Sequence, residues 1–566
     1  MKVVNPTYNI RLLITTLFIY IVCLAVSAQP AVPKHEVRAV WLTTIGGLDW
    51  PHSYSRSELS EKKQKKELCD ILDRLKAANI NTVLLQTRIR GTVIYPSVYE
   101  PWDGCLSGIP GVSPGYDALE FAIEECHKRG MELHAWVVTI PVGQWNGAGC
   151  KALRKKRPGL LHRIGNEGFM NPEQRQTAGY LADICREIAG NYDVDGIHLD
   201  YIRYPETWKI KVSREQGRRH ITDIVRSINM AVKEMKPWVK ISCSPIGKFD
   251  DLTRYWSHGW NAYTRTCQDA QGWMRDGLMD EVFPMMYFRD NQFFPFALDW
   301  KENSYGRIVA AGLGIYFMAP GERDWPLDIF KRKMNVLRSN GLGQAFFRSK
   351  FFTDDIKGIY GFTATEMNRH PALIPAMTWQ TGIAPSAPTS IHTYETAGGF
   401  CISWSGASDR SDSPNILYNI SASPTYPVDI TDARNLIAAR HPKEHLYIEP
   451  DANGRLRGYY YAVTAMNRYG NESEAASTRP AEQYRSRRLL ENDGRTLTVP
   501  KKDNSMDADY LLVETMAGTI IATKPYTGCK ISIYDIPEGM YTLRTLNRKG
   551  TTHRLGHFII KRTKQR

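Results

Sequence analysis

The run Asp195-Gly-Ile-His-Leu-Asp-Tyr-Ile-Arg-Tyr-Pro205 gathers two carboxylates, a histidine, an arginine and two tyrosines. Val194 to Ile202 alternates as a β-strand does, and side chains two apart share a strand face. Ile197, Leu199 and Tyr201 then point one way, His198 and Asp200 the other. A polar pair facing inward at the end of a barrel strand is a way to present a catalytic carboxylate. The chemistry it suits is glycosidic cleavage. One carboxylate attacks or stabilises the anomeric carbon, or activates water, while a second, protonated acid serves the leaving oxygen. Asp200 is the expected nucleophile or base. His198 would hydrogen-bond a sugar hydroxyl or tune the carboxylate. Asp195, ahead of Gly196 at the strand's start, reads as structural.

Other strand ends supply the rest of a pocket. Gln86, Arg88 and Arg90 alternate onto one face of a strand, where an arginine would clamp a substrate carboxylate or keep the nucleophile ionised. His134-Ala-Trp136 ends another. Met285-Met-Tyr-Phe288 leads into Arg289 and Asp290, and Gly314-Ile-Tyr316 is followed by Glu322 and Trp325. Aromatic faces at such ends suit the C–H faces of sugar rings. Arg88, Arg90, His134, Trp136, His198, Arg203, Tyr204 and Tyr287 are therefore expected to bind substrate. The proton donor is to come from Asp290, Glu322, Asp103 or Glu100, and the residues alone do not choose among the four. Asp290 and Glu322 join Asp200 as the catalytic set. Glu281 precedes its strand, at the wrong end for chemistry. A metal-dependent hydrolase would need His134, His198 and Asp200 to converge as ligands, but no metal or other cofactor is expected.

Eight β-rich apolar runs must position these groups: 37–43, 82–88, 132–138, 194–201, 239–245, 281–288, 308–317 and 343–348. Helical stretches separate them. Ser60–Ala78 carries Leu68, Ile71, Leu72 and Leu75 at three- and four-residue spacing, and Asp117–Arg129 and Pro172–Ile188 behave likewise. Repeated β/α units predict an α/β fold, a (β/α)₈ TIM barrel over 35–380. No G-x-G-x-x-G follows the first strand, which disfavours an open nucleotide-binding sheet. The stretch Pro141–Asn171, rich in Gly, Lys and Arg, would overhang the catalytic face as a long loop. After a Pro- and Ser-marked linker, alternation without helices predicts a β-sandwich over 386–480 and a small β-domain over 500–566. Residues 1–28 read as a secretory signal peptide, with Lys2 and Arg11 before the apolar run Leu12–Val26 and small residues up to Ala28. The protein is then secreted, periplasmic or at the cell surface.

Several segments carry resemblances. Asp195 and Asp200 match the first and third acids of the family 18 chitinase run D-x-x-D-x-D-x-E, but Ile202 stands where its glutamate belongs. Asp200 also aligns with the last Asp of the D-G-F-R-x-D run of family 13 amylases. Trp404, Tyr461, Val463, Ala465 and Asn467 resemble a fibronectin type III domain. Ile536-Pro-Glu-Gly-Met-Tyr541 resembles C-terminal sorting or anchoring domains of Bacteroidota. Glu36–Thr43, Arg90–Ser97, Pro101-Trp102, Pro114–Asp117, Glu132–Trp136 and Asp195–Pro205 together resemble the glycosyl-hydrolase-like family 10 barrels. This resemblance implies glycan hydrolysis, with peptidoglycan strands as one relative's substrate. The family's Pro-Gln-x-Tyr-Trp run is here Pro284-Met-Met-Tyr-Phe288, with Met in place of the Gln.

Composition sets the outer bounds. A formal net charge of +14 over 566 residues suits anionic envelope polymers as surroundings, and no nucleic-acid motif accompanies it. Ten cysteines without a C-x-x-C pair argue against a zinc site or a disulfide framework, leaving a Cys105–Cys150 bridge open. The expected protein is a monomeric glycoside hydrolase, associated at most peripherally with the envelope. The alternative is a non-catalytic glycan binder on a degenerate barrel.

Overall fold

The structure is a computed structural model. It describes residues 32–562 apart from 256–258, 397–398, 412, 449–457, 479–488, 500–507, 517, 528 and 548–551. The expected signal peptide lies outside the described residues, as do Cys23 and the basic run Arg485-Ser-Arg-Arg488 that follows the sandwich in the sequence.

Eight parallel strands close into a barrel in sequential order: Arg38–Leu42, Thr82–Arg88, Glu132–Val138, Gly196–Asp200, Lys240–Cys243, Glu281–Val282, Ile308–Gly314 and Gly343–Phe347. They are called first to eighth below. Strand alternation sorts their side chains. Val40, Leu42, Val83, Leu85, Leu133, Val137, Ile197 and Leu199 face outward into one large apolar cluster with the helices. Trp41, Leu84, Trp136, Phe283, Ala310 and Ala345 form a separate cluster inside the cylinder. The first long helix, Glu58–Ala77, starts at Ser57 with a reciprocal capping box and buries Leu68, Leu72 and Leu75. Fully burying each leucine stabilises the fold by roughly 1.5–3 kcal/mol. Asp117 caps Ala118–Lys128, and Arg175–Asn191 follows the excursion.

That excursion is a folded lobe rather than the expected long loop. Pro141–Gln144, Glu167–Met170 and Leu161–Ile164 form a three-stranded sheet, with the helix Ala148–Lys156 against it. Gly149 lets this helix approach the second-strand loop, since a Cβ there would lie 2.1 Å from the Arg90 carbonyl oxygen.

Two antiparallel units follow. The strands Thr389–Thr396, Gly399–Ser405 and His445–Ile448 form one sheet, and Leu436–His441, Leu417–Ser423, Tyr460–Met466 and Ala476–Ser477 form the other. Trp404, Tyr418, Ile420, Tyr461, Val463 and Ala465 fill the space between them. This sandwich sits on the N-terminal floor of the barrel. Arg440 reaches Glu132 at 2.9 Å and Asp195 at 2.6 Å, and Arg468 reaches Asp193 at 2.6 Å. In the last unit, Ile520–Pro525, Tyr510–Thr515, Gly539–Leu546 and Thr552–Ile560 make a four-stranded sheet over Leu511, Val513, Leu543 and Phe558. No described helix is long and apolar enough to cross a membrane. Cys105 and Cys150 are separate buried thiols.

Candidate active site

Asp200 is the last residue of the fourth strand, inward-facing and 6% exposed at the C-terminal mouth. Three donors fix its carboxylate: Trp136 Nε1 at 3.1 Å, Ser244 Oγ at 2.7 Å and the Tyr201 amide at 2.8 Å. Its own carbonyl accepts from the Thr139 amide and Oγ1 at 2.9 and 2.7 Å. Burial pushes the carboxyl's pKa up, against the pull of Ser244 and the nearby Arg203. Tyr201, next in the chain, has φ +53°, a left-handed conformation that is uncommon for a bulky residue and that collects at functional sites. It turns the chain immediately past the carboxylate. Arg203 is buried beside it, with its guanidinium 4.5 Å from the Tyr201 ring centroid and 2.6 Å from Glu206.

A half-buried aromatic row borders the other side of the mouth. Tyr287 meets Tyr316 edge-on at 5.9 Å and Phe347 at 5.8 Å, and Tyr316 continues to Phe351 at 6.5 Å. Gly314 makes the Tyr287–Tyr316 contact feasible, because a Cβ there would lie 3.0 Å from the Tyr287 ring. Beside the loops after the first three strands is a cleft of about 640 Å³, lined by Arg90, Tyr54, Asp103, Gln144 and Gly147 among others. A buried carboxylate with fixed donors and ring faces beside it can protonate or attack a polyhydroxylated ligand.

Residues 36–311 match the sequence model of the family Glycosyl hydrolase-like 10. The match to Glycosyl hydrolase-like 10 contains Asp200, Trp136, Ser244 and Tyr287 and stops within the seventh strand. The chain is also similar to the glycosyl hydrolase YngK of Bacillus subtilis (strain 168), 27% identical over 480 residues, covering 78% of this chain and 92% of that protein. It is 28% identical over 297 residues to the glycosyl hydrolase DigH of Escherichia coli (strain K12), covering 46% of this chain and 66% of that protein. Among solved structures, the glycoside hydrolase domain of PgaB (BpsB) from Bordetella bronchiseptica aligns with a TM-score of 0.41 at 13% identity, covering 58% of this chain and 98% of that one.

Within and beyond the segment matching Glycosyl hydrolase-like 10, the structure separates the expected site residues. Trp136, Arg203 and Tyr287 lie around Asp200, whereas Arg90 lines the separate cleft by the loops after the first three strands. Arg88 does not line the pocket. A β-bulge between Gln86 and Arg88 breaks the alternation and turns Arg88 outward, fully buried. There it pairs with Glu100 at 2.7 Å and donates to the carbonyls of Val138 and Thr139. Its partner Glu100 is thereby removed as a proton donor, and Asp103 caps the short helix Gly104–Ser107. His134 is likewise away from the mouth. It lies on the floor, 3.1 Å from Glu132, packed where Gly196 leaves room for its ring. His198 sits mid-barrel, bonded to Ser242 at 3.0 Å and accepting from Trp41 Nε1 at 3.2 Å; burial holds it well below the usual histidine pKa, hence neutral. Tyr204 is buried against His220. His134, His198 and Asp200 thus do not converge, and among the described residues no three His, Cys, Asp or Glu side chains are placed to hold a metal ion. Asp290 and Glu322 are exposed on the loops after the sixth and seventh strands. Ser244 and Phe347 were missed. Strand parity carried the signal for Phe347, two residues past the inward Ala345.

Proposed function

We propose that the chain is a glycoside hydrolase of the Glycosyl hydrolase-like 10 kind, cleaving a polysaccharide such as peptidoglycan glycan strands. The observation that carries this reading is the buried Asp200 carboxyl, held by three donors at the barrel mouth between Trp136 and the Tyr287–Tyr316 row. Trp136, Ser244 and the Tyr201 amide orient the carboxylate and stabilise its ionised form, while burial keeps it a competent base or nucleophile. The aromatic row stacks sugar rings. Glu322 or Asp290, from the opposite loops, lends the proton to the leaving oxygen. Similarity to YngK and DigH supports the reaction class.

The same reading takes residues 1–28 as a secretion signal, and the protein as secreted, periplasmic or surface-exposed. It takes the sandwich of three plus four strands as a fibronectin type III-like module and the last unit as a sorting or anchoring domain. The test is turnover of purified glycans, including peptidoglycan freed of stem peptides, with products resolved by mass. Asp200→Asn is expected to lower the rate by roughly 10²–10⁴-fold or more while the melting temperature is retained. Undiminished turnover by this variant would remove Asp200 from the chemistry. Glu322→Gln and Asp290→Asn, assayed alongside, identify the donor as the one whose loss abolishes the alkaline limb of the pH–rate profile.

A further inference from the structure

Lys333, on the helix Leu327–Ser339, is 1% exposed, and its Nζ has no hydrogen-bond partner among the described residues. Three aromatic rings box it in. The centroids of Phe293, Trp325 and Phe330 each lie 4.8 Å from Nζ. Ring faces attract an ammonium, but they do not replace the water it sheds. A buried lysine without an acceptor favours its neutral form. Burial, and after it the charge of Arg289, hold this amine down at about 7 from its ordinary 10.5, against the pull of Asp290.

The loops after the sixth and seventh strands cover this box. Phe293 closes the first loop and Trp325 belongs to the second. Arg289 lies 5.6 Å and Arg323 5.9 Å from the same Trp325 ring, so an ammonium at 333 adds a third cation to one indole. Asp290, 3.7 Å from Arg289 Nε, has φ +47°, a left-handed turn that a non-glycine residue keeps only while its surroundings enforce it. One end of that turn is pinned, because Gln292 accepts from Lys248 and donates to Tyr255 at 3.0 Å. The other end, Arg289 and Asp290, is exposed and rests on Trp325. The remaining charges near the box are engaged elsewhere or face water. Arg332 lies over Phe294 and Lys331 over Phe362, and Asp324 pairs with Lys357. Glu322 and Asp328 are exposed. On the helix Phe294–Glu302, Asp299 bonds Gln271 and Glu302 pairs with Arg254. The eighth strand, against which Leu327–Ser339 packs, carries no charge.

We propose that Lys333 is a proton-operated latch at the barrel mouth: neutral, it lets the Arg289–Asp290 turn and Trp325 close over the box, and protonated, it releases them. Opened to water, Lys333 regains its ordinary 10.5. The open form then holds more protons than the closed form between about 7 and 10.5. Opening becomes easier as pH falls through that window and levels off below about 7. The two loops carry Asp290 and Glu322, so the latch governs how firmly both acids are held. It is read without substrate and stands apart from the hydrolase reading.

The test is amide hydrogen exchange of the full-length protein, read by mass on peptides covering 287–293 and 319–325, with protection corrected for the intrinsic exchange rate at each pH. In the wild type, protection of both segments is expected to rise by up to about tenfold per pH unit from about pH 7.5 to about 9 and to be flat below about 6.5. The second strand, 82–88, serves as the reference and should not change. Lys333→Met, similar in length and suited to an apolar box, is expected to show high protection of both segments that does not vary with pH. Flat protection in the wild type overturns the latch without any variant. The same rise in Lys333→Met as in the wild type overturns it too, since the titrating group is then another. Loss of glycan cleavage, or its absence, leaves this result untouched.

Discussion

Two carboxyls inside the cylinder have raised pKa values from the same cause, burial, and differ in their neighbours. Asp200 accepts three hydrogen bonds at the mouth. Glu281, on the floor, has no hydrogen-bond partner for either oxygen among the described residues, and burial, against the pull of Lys240, pushes it up to about 8 from its ordinary 4.5. The unfolded chain therefore releases this proton first. Stability present below about pH 4.5 is lost progressively as pH rises to about 8. Glu281→Gln is accordingly expected to melt several degrees above wild type at alkaline pH and together with it in acid, as followed by circular dichroism across pH. Identical melting at both ends would show that Glu281 ionises with a partner. These two acids also mark what was legible at this scale. Alternation showed that Asp200, His198 and His134 point inward. It could not show height along the barrel, because that depends on the register with neighbouring strands, and height is what separates a pocket residue from a floor residue.

Elements decide the role of Arg88. Counting by twos along the second strand places it beside Gln86, but one bulged residue reverses the parity of everything after it. Outside the barrel, Arg88 braces the carbonyls at 138 and 139, and Thr139 in turn holds the Asp200 backbone. Arg88→Ala would leave Glu100 buried and unpaired, a loss of about 3–5 kcal/mol by the usual behaviour of buried pairs. Urea unfolding should show this in the wild-type background. Arg88→Met with Glu100→Leu should recover much of it, since the charge is then absent on both sides. A stability unchanged by Arg88→Ala would contradict the bracing role. The eight strands themselves were readable because their helix-facing sides are apolar and helical periods separate them. The lobe over 141–171 was readable only as a long connection: its four-residue strands, broken by glycine and charge, carry too few periods to register as β.

At the scale of the whole molecule, the sandwich is part of the barrel's floor. Arg440, 8% exposed, joins Glu132 and Asp195 across the boundary, and Gly130 is needed where the two backbones meet, since a Cβ there would lie 2.4 Å from the Ala439 oxygen. The two ion pairs join residues 308 and 245 positions apart and leave no local pattern, which is why the sequence suggested a linker and an independent module. Arg440→Ala is expected to destabilise the barrel, far from Asp200, by about 1.5–3 kcal/mol, read as a lowered barrel transition in calorimetry, because Lys240 still faces Glu132 and Arg468 and His127 still face Asp195. A barrel transition that stays in place would show the sandwich to be merely adjacent.

An accessory module that hangs from a flexible tether can be traded between enzymes by recombination, because neither neighbour notices its departure. Here departure would take Arg440 and Arg468 away from Glu132 and Asp195, leave those acids to Lys240 and His127, and open the underside of the barrel to water. A barrel that discarded the sandwich would keep two acids of its floor with two cations fewer, a cost that favours inheriting the pair of units together.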